Sequence, residues 1–223
     1  MARRLRHTPE GGALFDVTCR TVQSRFLLRP CPLLNEIILG TLARAKRRYG
    51  VELSAFIFLS NHLHILAWAI DSEQLANFMR YFLSKLAREV SRLTGWHDKV
   101  LAPRYQAIPI SEEEAAQVER LLYILANGCK ENLVARPQDW PGVHCVDALL
   151  TGEPLKGTWF DRTLRSIADR AGRSHPNLSN RFANPAGKGC AQERRGAVLR
   201  GGPSALLVPQ IGLGSALRAI LIA

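Results

Sequence analysis

Apolar positions alternate with polar ones at a period of two over residues 13–20, where Val17 and Thr18 add strand-forming character. Pro30 and Pro32 then punctuate the chain, and the period lengthens to that of a helix over about 33–49. Leu34, Ile37, Ile38, Leu42 and Ala45 form its apolar stripe, and Arg44, Lys46, Arg47 and Arg48 sit at the end where positive charge suits the helix dipole. After Tyr49-Gly50 two short apolar stretches, about 52–59 and 62–70, flank Ser60-Asn61 and predict a hairpin. A long amphipathic helix follows over about 72–94, with Leu75, Phe78, Phe82, Leu86, Val90 and Leu93 on one face and Lys85, Arg88 and Arg92 away from it. Gly95 ends it. The spacing predicts an extended segment from Val100 to Ile110, interrupted by Pro103, and then a helix capped by Ser111 with an acidic first turn. That helix runs to about Asn127, where Gly128 is a natural stop. The order of elements gives an α+β fold, with helices packed on a small, mostly antiparallel sheet.

Composition changes this picture in one respect. The 223 residues suffice for a full core, and 47% hydrophobic residues is ordinary, but 30 Lys and Arg against 19 Asp and Glu leave a net charge of +11. Such an excess points to a polyanion, nucleic acid first and an anionic membrane surface second. The five cysteines are scattered without a C-x-x-C pair, so neither a zinc ribbon nor a disulfide framework is indicated. The basic N-terminus lacks a following apolar stretch and does not read as a signal peptide, and no apolar run is long enough to span a bilayer. A cytoplasmic protein is expected.

The candidate chemistry lies in Asn61-His62-Leu63-His64. On a strand, alternate side chains share a face, so His62 and His64 point the same way and form half of a divalent-metal site. The spacing alone equally suits two buried, hydrogen-bonded histidines. A second signal comes from the last helix, where Val118, Leu121, Leu122 and Leu125 cluster as the core stripe. Tyr123 and Asn127, at i and i+4, fall away from that stripe on a shared face. A surface tyrosine and an Asn-Gly helix stop would look the same. Were this helix to cross the sheet beside the hairpin, His62, His64 and Asn127 could hold one metal, with Tyr123 beside it as a nucleophile on phosphorus.

These motifs resemble a known family. Asn61-His62-Leu63-His64 looks like the histidine–hydrophobe–histidine motif of the HUH endonuclease superfamily, and Leu122-Tyr123-Ile124-Leu125-Ala126-Asn127 is similar to the nucleophile helix of its REP-associated tyrosine transposases. Gly11-Gly12, Pro103-Arg104-Tyr105 and Asp139-Trp140-Pro141 match further blocks in the same order, so the resemblance covers about residues 8–145. It implies a ferredoxin- or RRM-like sheet and a single-tyrosine transposase. His62, His64 and Asn127 would bind Mg²⁺ or Mn²⁺, and Tyr123 would attack single-stranded hairpin DNA. On this resemblance the strand would be cut to a 5′-phosphotyrosine and a free 3′-OH, and rejoining would complete transfer. Two departures stand out: Gly128-Cys129 replaces the family's usual residues after Asn127, and Leu101 stands where an aromatic is common.

Arg4, Arg20, Arg25 and Arg104 are the phosphate-binding candidates. The expected divisions are a catalytic domain over 8–150, an extension over 151–185, and a Gly- and Arg-rich tail over 186–223 that is disordered or frameshifted. A bacterial, nucleoid-associated monomer or homodimer without a membrane partner is expected. The alternative readings are an inert relative that binds structured single-stranded DNA or RNA, and a structural-zinc protein using Cys129.

Overall fold

The computed structural model describes residues 8–159 and the strand Ser204–Leu206. Its main sheet has four antiparallel strands: β1 (Ala13–Arg20), β2 (Glu52–Phe58), β3 (His62–Ala69) and β4 (Gln106–Pro109). Their order is β2-β3-β1-β4. Helix α1 (Pro32–Tyr49) joins β1 to β2, and α2 (Ser72–Thr94) joins β3 to β4, giving the βαββαβ order of a ferredoxin-like sheet. The expected fold class therefore stands.

The sheet separates two chemistries. Phe56 and Phe58 on β2 share a face with Leu63 and Ile65 on β3, and the Phe58 ring meets Phe82 of α2 edge-on at 6.0 Å. Leu34, Ile38, Leu42 and Ala45 of α1 and Leu75, Phe78, Phe82, Leu86 and Val90 of α2 are all buried, as the helical periods require. The opposite face carries Leu14, Asp16, Thr18 and Arg20 from β1, paired with Trp68, Leu66, His64 and His62 from β3. Helix α3 (Glu114–Leu125) packs over β2 and β3 on this side, whereas Trp68 and Ile108 remain exposed.

Both long helices end as their sequences indicate. Gly50 and Gly95 take left-handed conformations after α1 and α2, and Asp71 caps α2 by accepting from Gln74 N–H. At the start of β1, Gly12 has φ +101 and lies against Trp68 and the Ala69 carbonyl, a position where a Cβ would collide.

Three expectations are corrected. Only residues 106–109 of the segment 100–110 form a strand; Pro103 has no N–H for a ladder, and Leu101 makes a single bridge to Thr21. Glu113, not Ser111, is the N-cap residue of α3; the Ser111 hydroxyl instead accepts from Glu113 N–H at 3.1 Å. The third concerns the helix stop. Helix α3 breaks at Ala126 and a four-residue turn, α4 (Asn127–Lys130), follows. Gly128 lies inside that turn, buried beneath Val134 and Trp140, so its small size rather than left-handed geometry is what the fold uses.

The matched Asp139-Trp140-Pro141 block is structural. Trp140 Nε1 donates to the Phe58 carbonyl at 2.9 Å, Phe58 N–H donates to Val143 O at 2.8 Å, and Asn35 Nδ2 donates to Pro141 O at 2.8 Å. The segment covers the outer edge of β2, removing an open strand edge. Helix α5 (Val146–Thr151) then leads to β5 (Leu155–Gly157), which pairs antiparallel with β6 (Ser204–Leu206). The rest of the tail lies outside the described residues. Cys19, Cys129 and Cys145 are free. No helix among the described residues is long and apolar enough to cross a membrane.

Candidate active site

The two histidines reach the site because strand alternation puts them on the α3 side of the sheet. Their ring centroids are 5.3 Å apart. Tyr123, on α3, meets His64 edge-on with centroids 5.9 Å apart, and at 39% exposure it is open to solvent. Helix α3 lies over the hairpin strands β2 and β3, the condition on which a joint site depends.

Each imidazole has its Nδ1 engaged. His62 Nδ1 lies 2.7 Å from Asn61 Oδ1. His64 Nδ1 lies 3.1 Å from Thr18 Oγ1 and 3.5 Å from Asp16 Oδ1. Acceptors at Nδ1 favour the tautomer that leaves the lone pair on Nε2, the arrangement that prepares a histidine to ligate a metal. Burial, with His64 and Arg20 nearby, pulls His62 down to about 4, so it is neutral near pH 7. The Asn127 side chain acts on His62 in the opposite sense through a hydrogen bond.

Asn127 is the most buried of the candidate site residues. It follows Ala126, at the start of α4, and at 4% exposure it is buried whereas Tyr123 is open. Its amide nitrogen is buried without a partner. An amide can turn either end inward, so the orientation of this buried group beside His62 is set by what it faces there. Among the described residues no group of three His, Cys, Asp or Glu side chains could hold a metal ion. The side chains here that could hold a metal are His62, His64 and the Asn127 amide, two nitrogens and an oxygen.

Four residues around the site were not singled out by sequence reasoning. Asp16 is buried, with Oδ2 3.3 Å from Arg120 Nη1 and Oδ1 facing His64. Thr18 shares the His64 contact. Lys130 Nζ lies 4.0 Å from the Tyr123 ring centroid, and the Arg120 guanidinium lies 5.3 Å from it. The signal for Asp16 and Thr18 was available: β1 is apolar at Phe15, Val17 and Cys19 and polar at Asp16, Thr18 and Arg20, so its second face had to meet something polar. Arg120, one turn before Tyr123 on α3, lies on its side of the helix, and α4 brings Lys130 to the same ring.

The phosphate-binding candidates divide. Arg20 is exposed and sits opposite His62 in the β1–β3 register, directly beside the site. Arg25 is exposed on the next loop, where its Nε donates to Gln23 Oε1. Arg104 is exposed just before β4. Arg4 lies outside the described residues. Basic and acidic side chains nearly balance over residues 8–159, so most of the +11 belongs to residues 1–7 and 160–223.

No family model and no curated protein matches the chain. Among solved structures, it is similar to one described as a REP-associated tyrosine transposase bound to a REP hairpin. That match has 18% identity and a TM-score of 0.48, over 65% of this chain and 82% of that one. It is also similar to a protein from Deinococcus radiodurans described as a candidate transposase, at 17% identity and TM-score 0.38, over 60% of this chain and 99% of that one. At these identities no residue's role passes from either structure to this chain.

Proposed function

We propose that the chain is a metal-dependent single-stranded DNA endonuclease and strand transferase, a tyrosine transposase acting through Tyr123. The observation that supports this reading is that Tyr123 of α3 meets His64 of β3, which lies against His62, which in turn meets Asn127 of α4. A phenol left open to solvent against the His64 ring, with Arg120 and Lys130 beside it, is placed for contact with a phosphate rather than for packing. Hairpin DNA as substrate follows from the motif resemblance, which includes the His-x-His strand, the tyrosine helix and three further blocks in order.

The chain's own groups divide the work. His62, His64 and Asn127 would hold Mg²⁺ or Mn²⁺, and the bound ion would supply a Lewis acid at a phosphate oxygen. Tyr123 Oη attacks phosphorus and gives up its proton. The Oη–P bond forms, the P–O3′ bond breaks, and the departing 3′ oxygen takes up a proton, leaving a 5′-phosphotyrosine and a free 3′-OH. Attack by another 3′-OH reverses the bonds and joins the strands without an external energy source. Lys130 and Arg120 put positive charge beside the ring, where the attacking oxygen and the phosphate carry negative charge. Asp16 and Thr18 hold the His64 ring in position.

The test is strand cleavage of a hairpin oligonucleotide labelled at one end or the other, with and without Mn²⁺. The reading expects metal-dependent release of the 5′-side fragment with a free 3′-OH, while the 3′-side label stays with protein. Release of both fragments from protein would contradict it, as would cleavage undiminished by chelation.

A further inference from the structure

Beyond the catalytic residues, the loop joining β1 to α1 holds the most exposed large apolar side chain among the described residues: Phe26, at 72% exposure. The loop around it is not loose. Thr21 N–H donates to Asn61 O at 2.8 Å, Val22 N–H to Val100 O at 2.9 Å and Leu28 N–H to Ser60 O at 2.9 Å. The Thr21 hydroxyl donates to Arg25 O at 2.6 Å, and Leu28 is buried as an anchor. Between these ties Gln23 and Ser24 have φ of 51° and 53°, left-handed conformations that non-glycine residues keep only where the surroundings enforce them. Such a loop holds its tip in a fixed place, and the tip is an aromatic ring turned to solvent.

Its neighbours are equally specific. The Arg25 guanidinium stacks over the Trp96 ring at 4.8 Å, and Trp96 Nε1 donates to Lys99 O at 3.0 Å. Arg20 and Arg29 flank the loop, and residues 20–29 contain no acidic side chain. On the adjoining 96–99 segment Asp98 is the one acid, and its carboxylate accepts from Lys99 N–H. The backbone ties run to Ser60 and Asn61, the residues just before His62, so this surface abuts the candidate active site.

A rigid exposed ring, a guanidinium–indole stack and a cationic margin match one ligand chemistry: a nucleobase with an exposed π-face and its attached phosphate. Bases inside a duplex are already stacked on each other, so the ligand must be unpaired. We infer that Phe26, with the Arg25–Trp96 stack beside it, binds an unpaired nucleotide of the same strand whose phosphate is presented at His62 and His64. Arg20 and Arg29 receive that strand's phosphates. This rests on the nuclease reading and names the part of the substrate that the loop holds.

The test uses the full chain and short hairpins with single-stranded flanks, in which each flanking position carries 2-aminopurine in turn. Phe26→Ala should weaken equilibrium binding about 10-fold, within the roughly 5- to 150-fold range of one lost base stack. One 2-aminopurine position should be quenched by the unaltered protein and not by Phe26→Ala. Phe26→Trp should restore both signals and Phe26→Leu neither, while a fully paired duplex should show no difference among variants. Unchanged affinity for Phe26→Ala would overturn the inference while leaving the nuclease reading intact. Full rescue by Phe26→Leu would also overturn it, assigning the ring to a merely apolar contact. A fall in melting temperature with Phe26→Ala would overturn it too, because the ring would then be covered by the chain itself. No single-strand binding by the unaltered protein would overturn both.

Discussion

Replacing Asp16 with Asn isolates the support beneath His64. The carboxylate is buried, with His64 Nδ1 at 3.5 Å and Arg120 Nη1 at 3.3 Å. The exchange keeps the side chain's shape and removes its charge. Partners of ligating histidines are typically worth about 10–100-fold in metal affinity. Here the lower end is expected, because Thr18 Oγ1 at 3.1 Å still offers His64 Nδ1 an acceptor. Mn²⁺ affinity, read by calorimetric titration without DNA, should fall about 10-fold, or roughly 1.4 kcal/mol. Adding Thr18→Val removes the second acceptor and should bring the loss to about 100-fold. Stability should change little, since the group left behind is Arg120, which is partly exposed and can be hydrated. An unchanged melting temperature separates lost ligation from lost folding. Wild-type Mn²⁺ affinity in the double variant would refute the reasoning.

Protonation gives a second prediction. His62 is pulled down to about 4 by burial and by His64 and Arg20, while an unfolded histidine titrates near 6.5. Between those values the unfolded chain binds a proton that the folded chain does not. The stability from a neutral His62 is therefore complete above about pH 6.5 and is lost as pH falls toward 4. The melting temperature of the metal-free protein should drop across that window, and less steeply for His62→Asn. His144, also lowered by burial, contributes with the same sign, so some slope should persist. Equal slopes for both proteins would contradict the assignment. A third prediction separates two glycines: a Cβ at Gly12 would lie 2.6 Å from Trp68 Cζ2 and 2.7 Å from Ala69 O, whereas Gly11 has open space. Gly12→Ala should destabilise by about 2 kcal/mol and Gly11→Ala by about half that, as measured by urea unfolding. Equal losses would rule out the clash.

The hydrophobic periods carried most of the fold into view. The strand at 13–20, both long helices and the hairpin lie where alternation and the 3.6-residue stripe put them, because each buries one face against a common core. What stayed hidden depends on contacts distant in sequence. The close cover of Gly128 by Val134 and Trp140 is a contact that no local propensity encodes. Covering the edge of β2 with residues 140–145 likewise needs Phe58, some eighty positions upstream, as partner. In the site, His62, His64 and Tyr123 were legible as residue types at fixed spacing. Asp16 and Thr18 required knowing that β1 lies beside β3. Arg120 and Lys130 required the placement of α3 and α4 beside the sheet.

The central claim is that Tyr123 is a nucleophile toward DNA. The most direct measurement incubates the protein and its Tyr123→Phe variant with a labelled hairpin and Mn²⁺, resolves them under denaturing conditions, and maps the adduct by mass spectrometry of peptides. The account predicts an SDS-stable band that needs metal, vanishes in Tyr123→Phe, and carries its nucleotide on Tyr123. A covalent adduct that persists in the Phe variant, or that maps to another residue, would contradict it. So would tight hairpin binding by a folded, Mn²⁺-loaded protein that forms no adduct.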